Sequence, residues 1–325
     1  MTGRRLSLSE MRQFRRCRRT WWLGYNQGQL LRYPELVGAR SLGNVVHAAL
    51  EAYYRPGYER DGAVALEQVQ LLRAQDIGLL NAAALENAPG AAEQLSKATA
   101  QYDLAFTMVE GYLDWAATEG IDAHMEVLGA EENLEVPVTL ESGAQFTFAG
   151  RADQLCRWTD TGTIRIRDYK TVANLTDLPK LAGINEQALH YWWLLDQLQL
   201  APRIDGVEFV MLRKVKRTAR STPPFYGAHR VSLNRHQLGA WARRLMGIAE
   251  EIAAVERRLV AGEDPMVVCF PNPMSTCSWD CDHLALCPMM DDGSRWEDAA
   301  AAFYRVGDPY ARYNAITPDA REEQT

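Results

Sequence analysis

Nothing in the 325-residue chain approaches an apolar run of about eighteen residues, so no membrane-spanning helix is expected. The first residues, Met1 to Ser7, carry two arginines and lack the apolar segment of a secretory signal, so a cytoplasmic protein is expected. No Gly-x-x-x-x-Gly-Lys-Ser/Thr loop is present, which excludes nucleotide-driven work by that route. Internal repeats and low-complexity tracts are missing too. Positive charge is not in excess. A net charge of −7 argues against a protein that coats nucleic acid with its whole surface. Cysteine is sparse, with six residues in all. In a reducing compartment these are expected as metal ligands or buried side chains rather than disulfides.

What charge there is falls unevenly. Residues 1–40 hold Arg4, Arg5, Arg12, Arg15, Arg16, Arg18, Arg19, Arg32 and Arg40 against only Glu10 and Glu35. A second basic cluster, Arg213, Lys214, Lys216, Arg217 and Arg220, precedes Pro223-Pro224. Local basic patches on an acidic protein suit an enzyme that grips a phosphate backbone in a channel. Taken alone, each patch is equally well read as a solvated surface run.

Ser7 and Glu10 form a capping-box pattern, and the sequence predicts a helix from there to about Tyr25. Ser41 opens a second helix through Tyr54, stopped by Pro56-Gly57. Two Ala- and Leu-rich stretches, about 61–83 and 92–119, read as a helical insertion. Strands are expected near 125–139, 145–158 and 163–172, then a helix from about Asn185 to Gln199. Strands near 204–213 and 226–233 and a long helix from Asn234 to Ala261 follow. The class is α/β, a mixed core carrying a helical elaboration. A polar tail is expected from about Ile316.

Two motifs stand on the predicted strands. Gly150-Arg-Ala-Asp153 lies on the first, and Asp168-Tyr-Lys170 on the second, joined by the turn signal Thr159-Asp160-Thr161-Gly162. Alternation along a strand puts Asp168 and Lys170 on one face with Ile164 and Ile166, so an apolar stripe ends in an acid and an amine. Two converging carboxylates make a hard oxygen site for Mg²⁺ or Mn²⁺. A neighbouring lysine can hold a water and offset charge on a phosphate. The competing reading is a solvated pair on an edge strand, since an acid-x-lysine alone is common.

The flanking helices supply company. Gly43, His47 and Glu51 share one face of the second helix, and Gln187 and Tyr191 share one face of the fourth. In this order the four elements resemble the RecB-like branch of the PD-(D/E)XK nuclease superfamily, over about residues 40 to 195. The resemblance implies a restriction-endonuclease-like mixed sheet flanked by helices. It implies a Mg²⁺ or Mn²⁺ ion held by His47, Asp153, Asp168 and the Tyr169 carbonyl, with Lys170 as the catalytic lysine. Gln187 and Tyr191 would position substrate or the strands, and Glu51 is expected beside the ligands rather than among them.

Cys277, Cys281 and Cys287 lie close together near the C-terminus, and Cys17 lies in the first helix. Four thiolates suit an iron–sulfur cluster or Zn²⁺. One early and three late cysteines resemble the iron–sulfur nucleases of the superfamily, namely the nuclease domains of helicase–nuclease complexes and CRISPR-associated adaptation exonucleases. The late spacing, three and then five residues, departs from their usual two and five. Structural Zn²⁺ stays open as the metal, and Cys269 or His283 as a substitute ligand. Cys156 is expected to be a buried small hydrophobe. Aromatic residues such as Trp21, Trp22 and Trp279 are expected mainly in packing.

The expected organisation is an N-terminal helix with the cluster cysteine and a basic lip (1–40), a nuclease core with its insertion at 61–119 (41–265), a cysteine-rich module (266–290) and a tail (291–325). The expected function is a metal-dependent DNA exonuclease in recombination, repair or phage DNA processing. A helicase, annealing protein or integrase would be its partner, and oligomerisation is left open. The alternatives are a non-catalytic DNA-binding or assembly module and a CRISPR-adaptation end-trimming factor.

Overall fold

A computed structural model describes residues 3–33, 35–199 and 204–311, so the tail expected from Ile316 lies outside the described residues. The chain divides into two compact units. One comprises Met1–Pro34, Glu135–Ala149 and Arg243–Thr325, the other Glu35–Leu134 and Gly150–Ala242. The elements form a mixed α/β fold in which parallel and antiparallel strand pairs are flanked by helices. Among the described residues no helix is long and apolar enough to cross a membrane.

The second unit is built on strands β3 (Met125–Thr139), β4 (Gln145–Trp158), β5 (Thr163–Val172), β6 (Ile204–Arg213) and β7 (Tyr226–Val231), of which β3 and β4 begin or end in the other unit. β5 pairs antiparallel with β4 and parallel with β6, and β7 pairs antiparallel with β6. β5 is therefore an interior strand, which removes the edge-strand reading of Asp168 and Lys170. Helices α3 (Ala39–Tyr53), α4 (Gly62–Leu85) and α5 (Ala91–Glu119) pack as a layer. Their apolar faces, with Val46, Leu50, Val69, Tyr102, Met108 and Tyr112, meet Cys156, Tyr169, Val210 and Leu212 from the strands in one core. α3 starts at Ala39 rather than Ser41, because the Ser41 hydroxyl donates to Leu36 O at 2.6 Å and Gly38 takes the cap.

Behind β5 runs a buried polar chain. Tyr169 donates to Gln154 Oε1 (2.9 Å), Tyr112 reaches Tyr169 (3.5 Å) and Tyr54 (2.7 Å), and Tyr54 donates to Asp122 (2.7 Å). Asp122 also receives the wholly buried Arg167, which bonds Glu208 at 2.7 Å. Burial pushes the Tyr112 phenol up to about 12, so this chain stays protonated on the tyrosines at physiological pH.

In the first unit the sequence predicts one helix from Ser7 to about Tyr25, but the structure has three pieces. α1 (Leu8–Arg16) ends at Cys17, which is extended (φ −161°, ψ 112°), then α2 (Arg18–Trp21) and a π-helical turn over Trp22–Asn26 follow. Only half of the capping box forms. Ser7 Oγ accepts from the Glu10 N–H at 3.2 Å, but the Glu10 carboxylate is drawn instead to Arg4, the Trp21 indole (2.8 Å) and Tyr310. The short strands β1 (Arg4–Ser7), parallel to the start of β4, and β2 (Gln29–Leu31) paired with β8 (Tyr304–Val306) carry no readable alternation.

Candidate metal centre

The β4–β5 register, Gln154 opposite Arg167, sets Asp153 opposite Asp168 one step further on. Two carboxylates are thus forced to one place by pairing alone. Lys170, two residues beyond Asp168, shares its face and lies 2.5 Å from Asp168 Oδ2, an ion pair rather than an aligned hydrogen bond. His47 on α3 brings Nδ1 to 3.2 Å from Asp153 Oδ2. A Cβ at Gly43, one turn earlier, would lie 3.5 Å from Thr171 Oγ1, so α3 runs close against β5 there. Tyr169 meets the site through its backbone, its N–H donating to Asp153 Oδ2 at 2.8 Å.

Beyond the short helix α6 (Asp177–Leu181), α7 (Glu186–Leu198) sets the other side. The Asn185 side chain accepts from the Gln187 and Ala188 N–H groups at 2.9 and 3.1 Å, a cap that contributes about 1 kcal/mol and fixes where Gln187 emerges. Gln187 Nε2 then donates to Asp168 Oδ1 (2.8 Å) and to the Tyr191 hydroxyl (2.9 Å), which itself donates to the Arg151 carbonyl (2.7 Å). The Gln-x-x-x-Tyr pair therefore bolts β5 to β4 through a helix. Gly150 permits it, because a Cβ there would come within 2.6 Å of Leu194 and 3.3 Å of the Tyr191 ring. Removing the hydroxyl leaves the Arg151 carbonyl and one Gln187 N–H without their partner. Tyr191→Phe is expected to cost about 1–2 kcal/mol of stability in chemical denaturation.

One member of the site is not evident in the sequence motifs. His47 Nδ1, an Asp153 carboxylate oxygen and a Glu131 carboxylate oxygen all lie within 4.8 Å of one another, the one such group among the described residues. Glu131 sits in β3 with φ +52°, a left-handed conformation that costs a non-glycine residue about 1 kcal/mol. A Cβ at Gly129 would run into the Glu132 side chain, so the strand bends sharply here and turns Glu131 toward Asp153. Arg151 Nε holds Glu131 at 2.5 Å. The available signal was the acid pair Glu131-Glu132 interrupting a strand. Glu51, one turn after His47, is exposed and acts on the site only through its charge on Glu131. Asp168 stands outside the three-residue group, its oxygens engaged by Lys170 and Gln187.

The charges are tightly balanced. Burial pushes Glu131 up to about 7, helped by Asp153 and Glu51 and opposed by Arg151. Burial likewise raises Asp168 to about 6, against the pull of Lys170. Asp153 is pushed up by burial too, but His47, Lys170 and the Tyr169 N–H outweigh it and hold it below the usual carboxylate value. Burial lowers His47, yet Asp153 and Asp168 leave it raised overall. One imidazole, an Asp153 carboxylate that stays ionised and a Glu131 raised by burial form a site whose chemistry fits a divalent cation.

In the first unit the break at Cys17 organises the cysteines. The Cys17 thiol accepts from the Asn272 N–H (3.5 Å), Cys281 lies 3.5 Å from the Thr20 hydroxyl, and Cys277 accepts from the Met274 N–H (3.5 Å). Arg19 reaches Cys287 Sγ (3.6 Å) and carbonyl (3.0 Å). Burial raises the Cys17 thiol, but donors from Thr20, Asn272 and Arg19 bring it below its ordinary value. Cys17 in turn adds to the rise at Cys287, although among the described residues no three cysteines bring their sulfurs within 4.8 Å of one another. Arg16 and Arg19, expected in a basic lip, are instead bound to Asp280 (2.6 Å) and Asp291 (2.8 Å) and dock the cysteine loop. Cys156 is in the core of the other unit and Cys269 is buried, with thiols pushed up by burial to about 12 and about 11. His283 is stacked on Tyr304 and bonded to Gln29 O at 2.9 Å.

The model of the PD-(D/E)XK nuclease superfamily matches residues 5–288, and the chain belongs to that superfamily of metal-dependent nucleases. No curated protein matches the chain.

Proposed function

We propose that the protein is a Mn²⁺- or Mg²⁺-dependent DNA exonuclease of the RecB-like iron–sulfur branch, acting on ends or single strands. The observation that carries this reading is the convergence of His47, Glu131 and Asp153 beside a lysine held by Asp168. The mixed nitrogen–oxygen donors suit Mn²⁺ better than Mg²⁺. A divalent ion there supplies Lewis-acid polarisation of a phosphoryl oxygen and a more acidic water. Asp168 anchors the Lys170 ammonium, which orients the attacking water and offsets charge on the phosphate. Gln187 and Tyr191 keep β4 and β5 in register so that the carboxylates do not spread. A complete acid, lysine and histidine set argues against a non-catalytic assembly module. The chain's context would be recombination, repair or phage DNA processing, with any unwinding done by a partner. End-labelled single- and double-stranded oligonucleotides incubated with Mn²⁺ or Mg²⁺ test the reading: shortening from the ends supports it, and internal nicking of closed circles would replace exonuclease with endonuclease.

For Cys17, Cys277, Cys281 and Cys287 we propose an iron–sulfur cluster. Support comes from four free thiols, of which Cys17, Cys277 and Cys287 accept from N–H groups and Cys281 lies 3.5 Å from the Thr20 hydroxyl, as cluster sulfurs are surrounded by polar partners.

Metal affinity should climb between pH 6 and 8. Glu131, with a folded value of about 7, and His47, raised by its carboxylate neighbours, must give up their protons to a cation, while Asp168, at about 6, ionises beside them. The sign for the free protein is the reverse. Groups raised in the fold stabilise it below their unfolded values, so metal-free protein loses stability as pH rises through about 6 to 7. Calorimetric Mn²⁺ titrations in two buffers of different ionisation enthalpy should show proton release that shrinks toward pH 8 and is reduced in Glu131→Gln.

A further inference from the structure

From Phe209 to Ala242 the chain has no acidic residue and seven cations, Arg213, Lys214, Lys216, Arg217, Arg220, Arg230 and Arg235, in a protein of net charge −7. The stretch begins on the strand beside the metal centre. In the β5–β6 register Asp168 faces Phe209, Lys170 faces Met211 and Val172 faces Arg213, and the Lys214 N–H donates to Val172 O at 2.8 Å. Paired residues share a face, and Lys170 Nζ indeed lies over the Phe209 ring at 6.0 Å. The β6–β7 connection thus leaves the sheet two strand positions past Lys170, roughly 7 Å along the strand.

Within that loop the cations divide by task. Arg213 donates to the Thr222 and Pro224 carbonyls (3.1 and 2.9 Å), and Arg217 lies over Phe225 (3.7 Å) and donates to Tyr226 (2.7 Å). The tip is closed by Thr218 and Ser221, with the Thr218 N–H on Ser221 Oγ at 2.6 Å. Two arginines and a turn therefore give the loop its shape from inside. Lys216 and Arg220 are exposed and Lys214 half-buried, and among the described residues none of the three has an ion pair.

We propose that Lys214, Lys216 and Arg220 form a track for the phosphate backbone of a nucleic-acid strand, gripping it without regard to sequence one to three nucleotides from the scissile phosphate. The proposal rests on the nuclease reading of the neighbouring site. Cations aimed at phosphates carry no base information, so the track supplies affinity and register only. An acid-free loop stiffened by its own arginines presents these charges at little ordering cost.

Fluorescence anisotropy with a labelled single-stranded oligonucleotide, in Ca²⁺ without turnover, tests it across a salt series. The triple variant Lys214→Ala/Lys216→Ala/Arg220→Ala should bind at least about tenfold more weakly at low salt, with the slope of log affinity against log salt reduced by about 2. The loss in kcat/KM should be carried by KM, whereas Lys97→Ala, an exposed lysine on α5, leaves both binding and slope unchanged. An unchanged slope with normal affinity overturns the track even where Mn²⁺-dependent cleavage is intact. Conversely, absent cleavage with the slope change present would sink the nuclease reading and leave the track standing.

Discussion

Cleavage of an end-labelled oligonucleotide is expected to fall at least about 1000-fold in Asp168→Asn and in Lys170→Ala, with the fold retained in both. The two variants part company in stability. Asp168 is fully buried and raised to about 6, so at neutral pH the metal-free protein holds an ionised carboxylate at a cost. Asparagine removes that charge and keeps an oxygen for Gln187, so Asp168→Asn should melt no lower than wild type. Lys170→Ala strips the same carboxylate of its cation. Its melting temperature should fall above pH 7 and recover at pH 6, where Asp168 takes up a proton. Differential scanning fluorimetry at the two pH values, beside the cleavage assay, reads both effects. Cleavage by Asp168→Asn within about tenfold of wild type would remove Asp168 and its lysine from the chemistry.

Those two residues were also the most legible part of the molecule. Strict alternation and the turn at Thr159–Gly162 define β4 and β5 as the structure has them, Gln145–Trp158 and Thr163–Val172, and parity puts Asp168 and Lys170 on one face. Spacing of four residues on a helix made Gln187 and Tyr191 a pair. What they do was hidden, because it depends on Gly150 admitting α7 and on the Arg151 carbonyl lying in reach. Glu131 was invisible for a related reason. A left-handed residue inside a strand breaks the parity on which strand reading depends, and nothing local separates Glu131 from Glu132. The interruption at Cys17 escaped notice since Arg18, Arg19 and Thr20 are compatible with a continuous helix. Only the docking of the 272–291 loop by Arg16, Arg19 and Asn272 explains the break.

That break leads to the second large effect. On the proposed cluster, Cys17→Ala should abolish the visible absorbance of anaerobically purified protein and lower its melting temperature by about 5 °C or more, since ligand and fold would be lost together. Arg16 and Arg19 already tie the early helix to the late loop, and a four-thiol group would close the same contact covalently through its metal. Cys156→Ala offers the contrast, as its buried thiol belongs to the other unit: it should lose stability from a small cavity and keep its colour. Iron analysis and an absorption spectrum on both variants suffice. Full colour and iron in Cys17→Ala would rule out Cys17 as a ligand.

Tyr169 sits between Asp168 and Lys170 on β5 and points the other way, into the phenol chain of Tyr112 and Tyr54. Its backbone N–H holds Asp153 while its ring is locked among α3 and α5. The carboxylates are thereby preorganised by the hydrophobic core: the entropy of ordering them is lost once, when the chain folds, and not again with each cation or each turnover.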